Sequence, residues 1–187
     1  VFFIDFIKKH KGFFFLLFFI LAWIILVSIF PPDKIVEVIG VQTGYFIMFL
    51  TAFIGVSGFA SAPFYATLVT MVSTGEFNLI VLSLVVAPAR AFGDSLFFIL
   101  GYQGHFVAKE KLGKVLNFFS LWLSKKPGWV IFLFAYFYTS LTPLPQDILM
   151  VILGLGKASF KKILPAVLLG NATFVFLVSY LVSLALI

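Results

Sequence analysis

The stretch Thr142-Pro143-Leu144-Pro145-Gln146-Asp147-Ile148-Leu149-Met150-Val151-Ile152-Leu153-Gly154-Leu155-Gly156-Lys157 decides how the chain is read. It opens on a double proline break, runs apolar from Gln146 to Gly156 and closes on glycines beside a cation. Proline cannot continue a helix from within, and a glycine beside a lysine marks a helix end. The apolar piece is too short to cross a hydrocarbon core about 30 Å thick, which takes about 20 helical residues. An earlier stretch repeats the design: Pro63 to Thr74 follows breaks at Gly55, Gly58 and Pro63. At 1.5 Å per residue it covers roughly 18 Å. Two half-length pieces behind Gly or Pro breaks predict re-entrant hairpins in place of full spans.

Composition sets the solvent. Of 187 residues, 63% are hydrophobic and 11% charged, with 27 Phe, and mean hydropathy is +1.19. A soluble domain is about half apolar and about a quarter charged. The polar surface here cannot cover a water-facing globule, so soluble enzymes and nucleic-acid binders are excluded despite the net charge of +6. The chain reads as an integral membrane protein. Without cysteine there is no disulfide or thiolate chemistry. His10 and His105 stand far apart beside lysines, which argues against a metal site. There is no Gly-x-Ser-x-Gly turn, no His-Glu-x-x-His and no P-loop, so neither an enzyme nor a cofactor is expected.

Outward from the two breaks, one membrane domain over residues 1–187 is expected to be all-α. Residues 13–30 form an N-terminal transmembrane helix, stopped by Pro31-Pro32 and kept in place of being cleaved as a signal peptide. Val1 is no initiator methionine, so a trimmed chain is expected. Asp33 to Gly40 reads as a short polar connection. Residues 41–104 give a first hairpin and its spanning helix, Asn78 to Gly104. Residues 105–127 are a basic link, in which Leu112, Val115, Leu116, Phe119, Trp122 and Leu123 recur at helical spacing as an interfacial helix would have them. Residues 128–187 give a second hairpin and a last span, Ile163 to Ile187. With the N-terminus inside, every lysine except Lys34 falls on the cytoplasmic side, as the positive-inside rule asks. A prokaryotic plasma membrane is the expected setting.

The halves share a signature. Pro88-Ala89-Arg90-Ala91-Phe92-Gly93-Asp94 matches Pro165-Ala166-Val167-Leu168-Leu169-Gly170-Asn171, with Phe97 and Phe174 following in step. Hairpins entering from opposite faces make this an inverted repeat, as in many secondary transporters. Arg90 and Asp94 fall in mid-span, where a charge costs about 2.5 to 3.5 kcal/mol even on lenient scales. At i, i+4 they can pair on one helix face, or Arg90 can offer a fixed cation to an anionic headgroup that Asp94 orients. Asp147 sits on the short second helix, as a helix cap or facing a watery cavity. Asn171 is the counterpart of Asp94, a second ligand or a packing amide. Ser61 and Thr142 are placed to N-cap the two half-helices, whose free N–H groups would then face a midplane phosphate. Gln146, beside the second break, completes the candidate substrate-binding residues.

Gly93-Asp94-Ser95-Leu96-Phe97-Phe98-Ile99-Leu100-Gly101-Tyr102 resembles a stretch of the DedA family of small membrane proteins. Pro143-Leu144-Pro145-Gln146-Asp147, Gly154-Leu155-Gly156-Lys157 and Phe160-Lys161-Lys162 resemble its second block. The resemblance spans roughly Phe53 to Tyr180. It implies opposed re-entrant hairpins and the transport or scrambling of lipids, polyprenyl phosphates in bacteria and phospholipids in eukaryotic VTT-domain relatives. Many bacterial members carry an acidic residue where this chain has Phe64, Tyr65 and Ala66. They also carry arginines where it has Ser140 and Gln146. Those departures point to passive or differently coupled lipid movement.

The leading expectation is thus a flippase or scramblase whose partners are lipids with anionic headgroups, with a second copy of the chain left open as a partner. An ion- or proton-coupled transporter of a small solute is the runner-up. A non-transporting membrane scaffold, with its charges purely structural, is the reading from another class.

Overall fold

A computed structural model of the protein describes residues 32–55, 61–103, 110–142 and 145–185. The expected N-terminal helix, residues 13–30, lies outside them. Every described element is a helix: α1 Pro32–Ile54, α2 Ser61–Ser73, α3 Leu79–Tyr102, α4 Glu110–Ser124, α5 Gly128–Leu141, α6 Gln146–Leu155 and α7 Phe160–Ala185. Three of them, through Val36–Phe53, Leu79–Tyr102 and Phe160–Ala185, are long and apolar enough to cross a membrane. They mark the chain as a membrane protein.

Boundaries differ most from the sequence reading at two helices. The last helix, α7, begins at Phe160, three residues before the expected Ile163, and takes in Lys161 and Lys162. Residues 33–40 are helical, not a polar connection, and α1 takes them in across a kink at Gly40 (φ 73°, ψ 152°). Only glycine adopts that backbone freely, so the kink divides α1 where the first repeat was expected to begin. Beyond it, residues 41–54 have the same 14-residue length as α5. Elsewhere the ends follow local chemistry. Asn78 caps α3, its Oδ1 accepting from the N–H groups of Ile80 (3.0 Å) and Val81 (3.1 Å). The Tyr45 hydroxyl accepts from the Asn78 N–H at 3.0 Å, tying the α2–α3 turn to α1.

The two long inner helices, α3 and α7, run antiparallel. Phe98 near the end of α3 meets Phe160 at the start of α7 with ring centroids 5.1 Å apart, while Arg90 meets Phe174 further along. Around them sit two apolar cores. The first joins Met48 and Ala52 of α1, Phe64 and Leu68 of α2, Leu82, Val86 and Ala89 of α3, and Phe174 and Val175 of α7. The second joins Ala91 and Phe98 of α3, Ala135 of α5, Leu149 and Leu153 of α6, and Ile163, Ala166 and Val167 of α7. Between Ala89 and Ala91, α3 passes from one core to the other.

The helix pairs α1–α2 and α5–α6 have ends near this crossing. Phe53 at the end of α1 touches Phe92 of α3 at 5.4 Å between centroids, and Phe64 at the start of α2 lies under Arg90. On the other side, a Cβ added to Gly170 of α7 would strike Thr139 near the end of α5. The Gln146 side chain at the start of α6 donates to the Thr139 carbonyl at 3.2 Å. The end of α1, the start of α2, the end of α5 and the start of α6 therefore all lie near the level of the α3 midpoint. The first arms, α1 and α5, pack on α3 and α7 respectively, whereas the second arms cross over, α2 to α7 and α6 to α3. The α3–α6 contact is backbone on backbone: a Cβ on Gly154 would meet the Phe98 carbonyl and, at 2.7 Å, the Tyr102 nitrogen.

Outward faces are apolar. Leu84 and Phe92 of α3 are 62% and 59% exposed, and Leu181 of α7 is 64% exposed. Exposed hydrophobic surface of this extent on helices of membrane-crossing length suits contact with lipid. The expected amphipathic helix is present as α4, but its inner face is Leu116, Ser120 and Leu123, while Phe119 and Trp122 stay exposed. The inner stripe is narrow because α4 is covered on that side by the single short helix α6.

Candidate functional site

Arg90 sits at the midpoint of α3 and is only 6% exposed; Asp94 and Asn171 are 1% and 0% exposed. A buried guanidinium needs partners for its N–H groups and its charge. Its Nε donates to Asn171 Oδ1 at 3.0 Å. The Asn171 amide then turns its other end to Asp94, Nδ2 donating to Oδ2 at 2.9 Å. The expected i, i+4 pairing is therefore corrected. Among the described residues no direct ion pair joins Arg90 to Asp94, and the amide from α7 bridges them. An asparagine suits that task because one side chain carries both an acceptor and a donor.

Two aromatic rings hold the cation from its faces. The Arg90 guanidinium carbon lies 5.0 Å from the centroid of Phe64 on α2 and 5.6 Å from that of Phe174 on α7. A desolvated cation over a ring gains about 2 kcal/mol, which offsets part of the cost of burial. Phe64 is itself fully buried, and Tyr65 beside it packs edge-on to Phe174 at 6.3 Å. The guanidinium is thus fixed by α2, α3 and α7 together. Its Nη1 is nevertheless buried with no hydrogen-bond partner. An unmade bond on a buried charged group costs about 1–3 kcal/mol or more, so the site is poised to take an acceptor there.

The remaining candidates divide. Gln146 is buried, with Nε2 donating to the Thr139 carbonyl and Oε1 unpartnered. Asp147, in the first turn of α6, is half-buried. Ser61 is half-buried as the first residue of α2, one turn before Phe64. Thr142 is not the N-cap of α6. It ends α5, its hydroxyl donates back to the Tyr138 carbonyl at 2.5 Å, and Pro145 precedes α6 without a side-chain cap. Proline offers no capping oxygen, and the threonine hydroxyl is already spent on its own helix.

Several residues that meet at the site were not among the site residues expected from the sequence. Phe64 is hidden because phenylalanine is abundant in this chain. Phe174 carried a usable signal, its place in step with Phe97. Thr139 becomes important only through its contacts with Gln146 and Gly170. No protein family model, curated protein or solved structure matches the chain.

Proposed function

We propose that the protein is a membrane lipid transporter, a flippase or scramblase, that passes a phosphate-bearing headgroup between two hairpins while the tails stay in lipid. One observation carries this reading. Among the described residues Arg90 is the one buried cation; it is clamped on three sides at the border of two apolar cores and keeps an unpartnered N–H. A phosphate oxygen is the acceptor that suits a guanidinium by both charge and geometry.

The DedA-type architecture belongs to this proposal, as an inverted repeat of re-entrant hairpin plus spanning helix. It is supported by the meeting of Asp94 and Asn171. They are equivalent positions of the two signatures, and they touch each other across antiparallel α3 and α7. A two-fold axis lying in the membrane plane between those helices requires such a self-contact. The exchange of second arms, α2 to α7 and α6 to α3, supports it too. The proposed orientation puts Lys157, Lys161 and Lys162 on the cytoplasmic side. In that orientation a single cysteine at Thr74 labels from outside and one at Ser159 from inside. Labelling of both from one side would end the inverted-hairpin reading.

Reconstitution tests the function. Vesicles holding the protein should move labelled phospholipids or polyprenyl phosphates faster than empty ones, and leave a glucosylceramide analogue, which lacks phosphate, unaffected. A second reading, an ion- or proton-coupled small-solute transporter, is favoured by the half-buried carboxylate of Asp147 in the first turn of α6. Accumulation driven by a pH gradient and lost in Asp147→Asn would select it. Lipid movement that persists in Asp147→Asn without a gradient supports passive scrambling.

A further inference from the structure

The chain holds a second candidate ligand site at the lysine-bearing end, away from Arg90. A cavity of about 480 Å³ lies between the end of α3 and the α6–α7 turn. Phe98, Ile99 and Phe160 form its apolar wall, and Tyr102, Gln103, Lys157 and Ser159 supply its polar atoms. Ligand pockets have this size and this mixture of an apolar wall with a few polar groups.

The backbone at Lys157 is the second observation. The α6 terminus is closed by the Lys157 N–H to the Gly154 carbonyl (2.9 Å) and the Ala158 N–H to the Leu153 carbonyl (3.1 Å). That is a Schellman motif, and the residue after its cap takes the left-handed conformation, normally as glycine. Here the residue is Lys157 at φ 50°, the one non-glycine with positive φ among the described residues. A lysine kept where glycine would be relaxed, in the lining of a cavity, points to a use for its charge.

We propose that this cavity binds the phosphate ester of an anionic headgroup. Lys157 supplies the cation, Ser159, Gln103 and Tyr102 supply hydrogen bonds, and Phe98, Ile99 and Phe160 carry the first carbons beyond the phosphate. The site stands apart from the Arg90 cluster and rests on the transport reading only for what becomes of the bound lipid. Because Ile99 and Tyr102 are also exposed on the outer surface of α3, the cavity opens toward lipid, which favours a lipid headgroup over free phosphate.

A cysteine-free chain permits a direct test. Ala158→Cys places a reporter in the cavity, and Trp129→Cys places a control at the same end, where Gly128 adjoins Lys162. Labelling by a neutral maleimide is followed in phosphatidylcholine vesicles with and without phosphatidic acid. Phosphatidic acid should slow labelling at 158 by about fivefold, the ~1 kcal/mol that one lysine contributes beside anionic headgroups, and leave 129 unchanged. Adding Lys157→Gly should restore the rate while raising the melting temperature, so lost protection there cannot come from misfolding. Equal protection by inorganic phosphate in pure phosphatidylcholine would keep the phosphate chemistry and reject the lipid as its source. Equal slowing at 158 and 129, or protection that survives Lys157→Gly, would overturn the site. Arg90→Ala should stop lipid movement and leave this protection intact, so the two proposals can fail separately.

Discussion

The spanning helices α3 and α7 carry the same signature and load it differently. Each has an internal proline, Pro88 or Pro165, followed at the same interval by a glycine and an Asp or Asn. On α3 the positions facing the centre are Arg90 and Asp94; on α7 the corresponding residues are Val167, buried in the second core, and Asn171. The proline and glycine positions recur in the two helices, and the charge does not. Two charged copies would place two arginines and two carboxylates at one buried crossing, with a large desolvation cost. A single charged copy and a neutral amide give one oriented cation. The difference shows why Asn171 matters as much as the charged residues it joins.

Making the halves alike should therefore have the largest effect. Asn171→Asp replaces the N–H that Asp94 accepts with a second carboxylate oxygen. Denaturant titration in micelles at neutral pH should show a loss of about 3 to 5 kcal/mol, the cost of an uncompensated buried charge. Asn171→Leu leaves Arg90 Nε and Asp94 Oδ2 unpaired and should lose about 1–3 kcal/mol. If Asn171→Asp were as stable as the unmodified protein, Asn171 would not bridge the halves.

The glycine contacts sharpen the same comparison. Gly154→Ala sets a methyl group against α3 backbone atoms, which cannot step aside. It should cost about 1–3 kcal/mol and loosen α6 from α3. Gly170→Ala meets mainly the Thr139 side chain, which can rotate at the expense of its 2.8 Å bond to the Ala135 carbonyl. Its cost should be nearer 1 kcal/mol, one hydrogen bond. The reverse order would place the tighter helix contact in α5–α7. The smallest change goes the other way: Lys157→Gly removes a left-handed non-glycine residue and should gain about 1 kcal/mol in the same titration.

Much of this was legible in the sequence, for physical reasons. Helix lengths were readable because Pro and Gly breaks end apolar runs sharply: α5 was placed at Gly128–Leu141 as found, and α6 within one residue. Arg90, Asp94 and Asn171 stood out because charges and amides are rare and expensive inside a span. Their connectivity was not legible. A spacing of i, i+4 suggests a pair on one helix, but the stronger arrangement runs through a residue 77 positions from Asp94. The aromatic clamp was hidden for the same reason, since Phe64 and Phe174 reach Arg90 from separate helices. Thr142 misled because a threonine before a proline fits a cap equally well at the end of one helix or the start of the next.

The central claim is that Arg90 binds a headgroup and is more than half of a buried charge network. Lipid movement by Arg90→Ala and by Arg90→Ala with Asp94→Ala, each reconstituted after its fold is verified, tests it most directly. Removing both charges relieves the lone buried carboxylate, so the double variant should be the more stable of the two. The account predicts that neither moves labelled phospholipid above the rate of empty vesicles. Recovery of lipid movement in the double variant would contradict it and leave Arg90 a purely structural partner of Asp94.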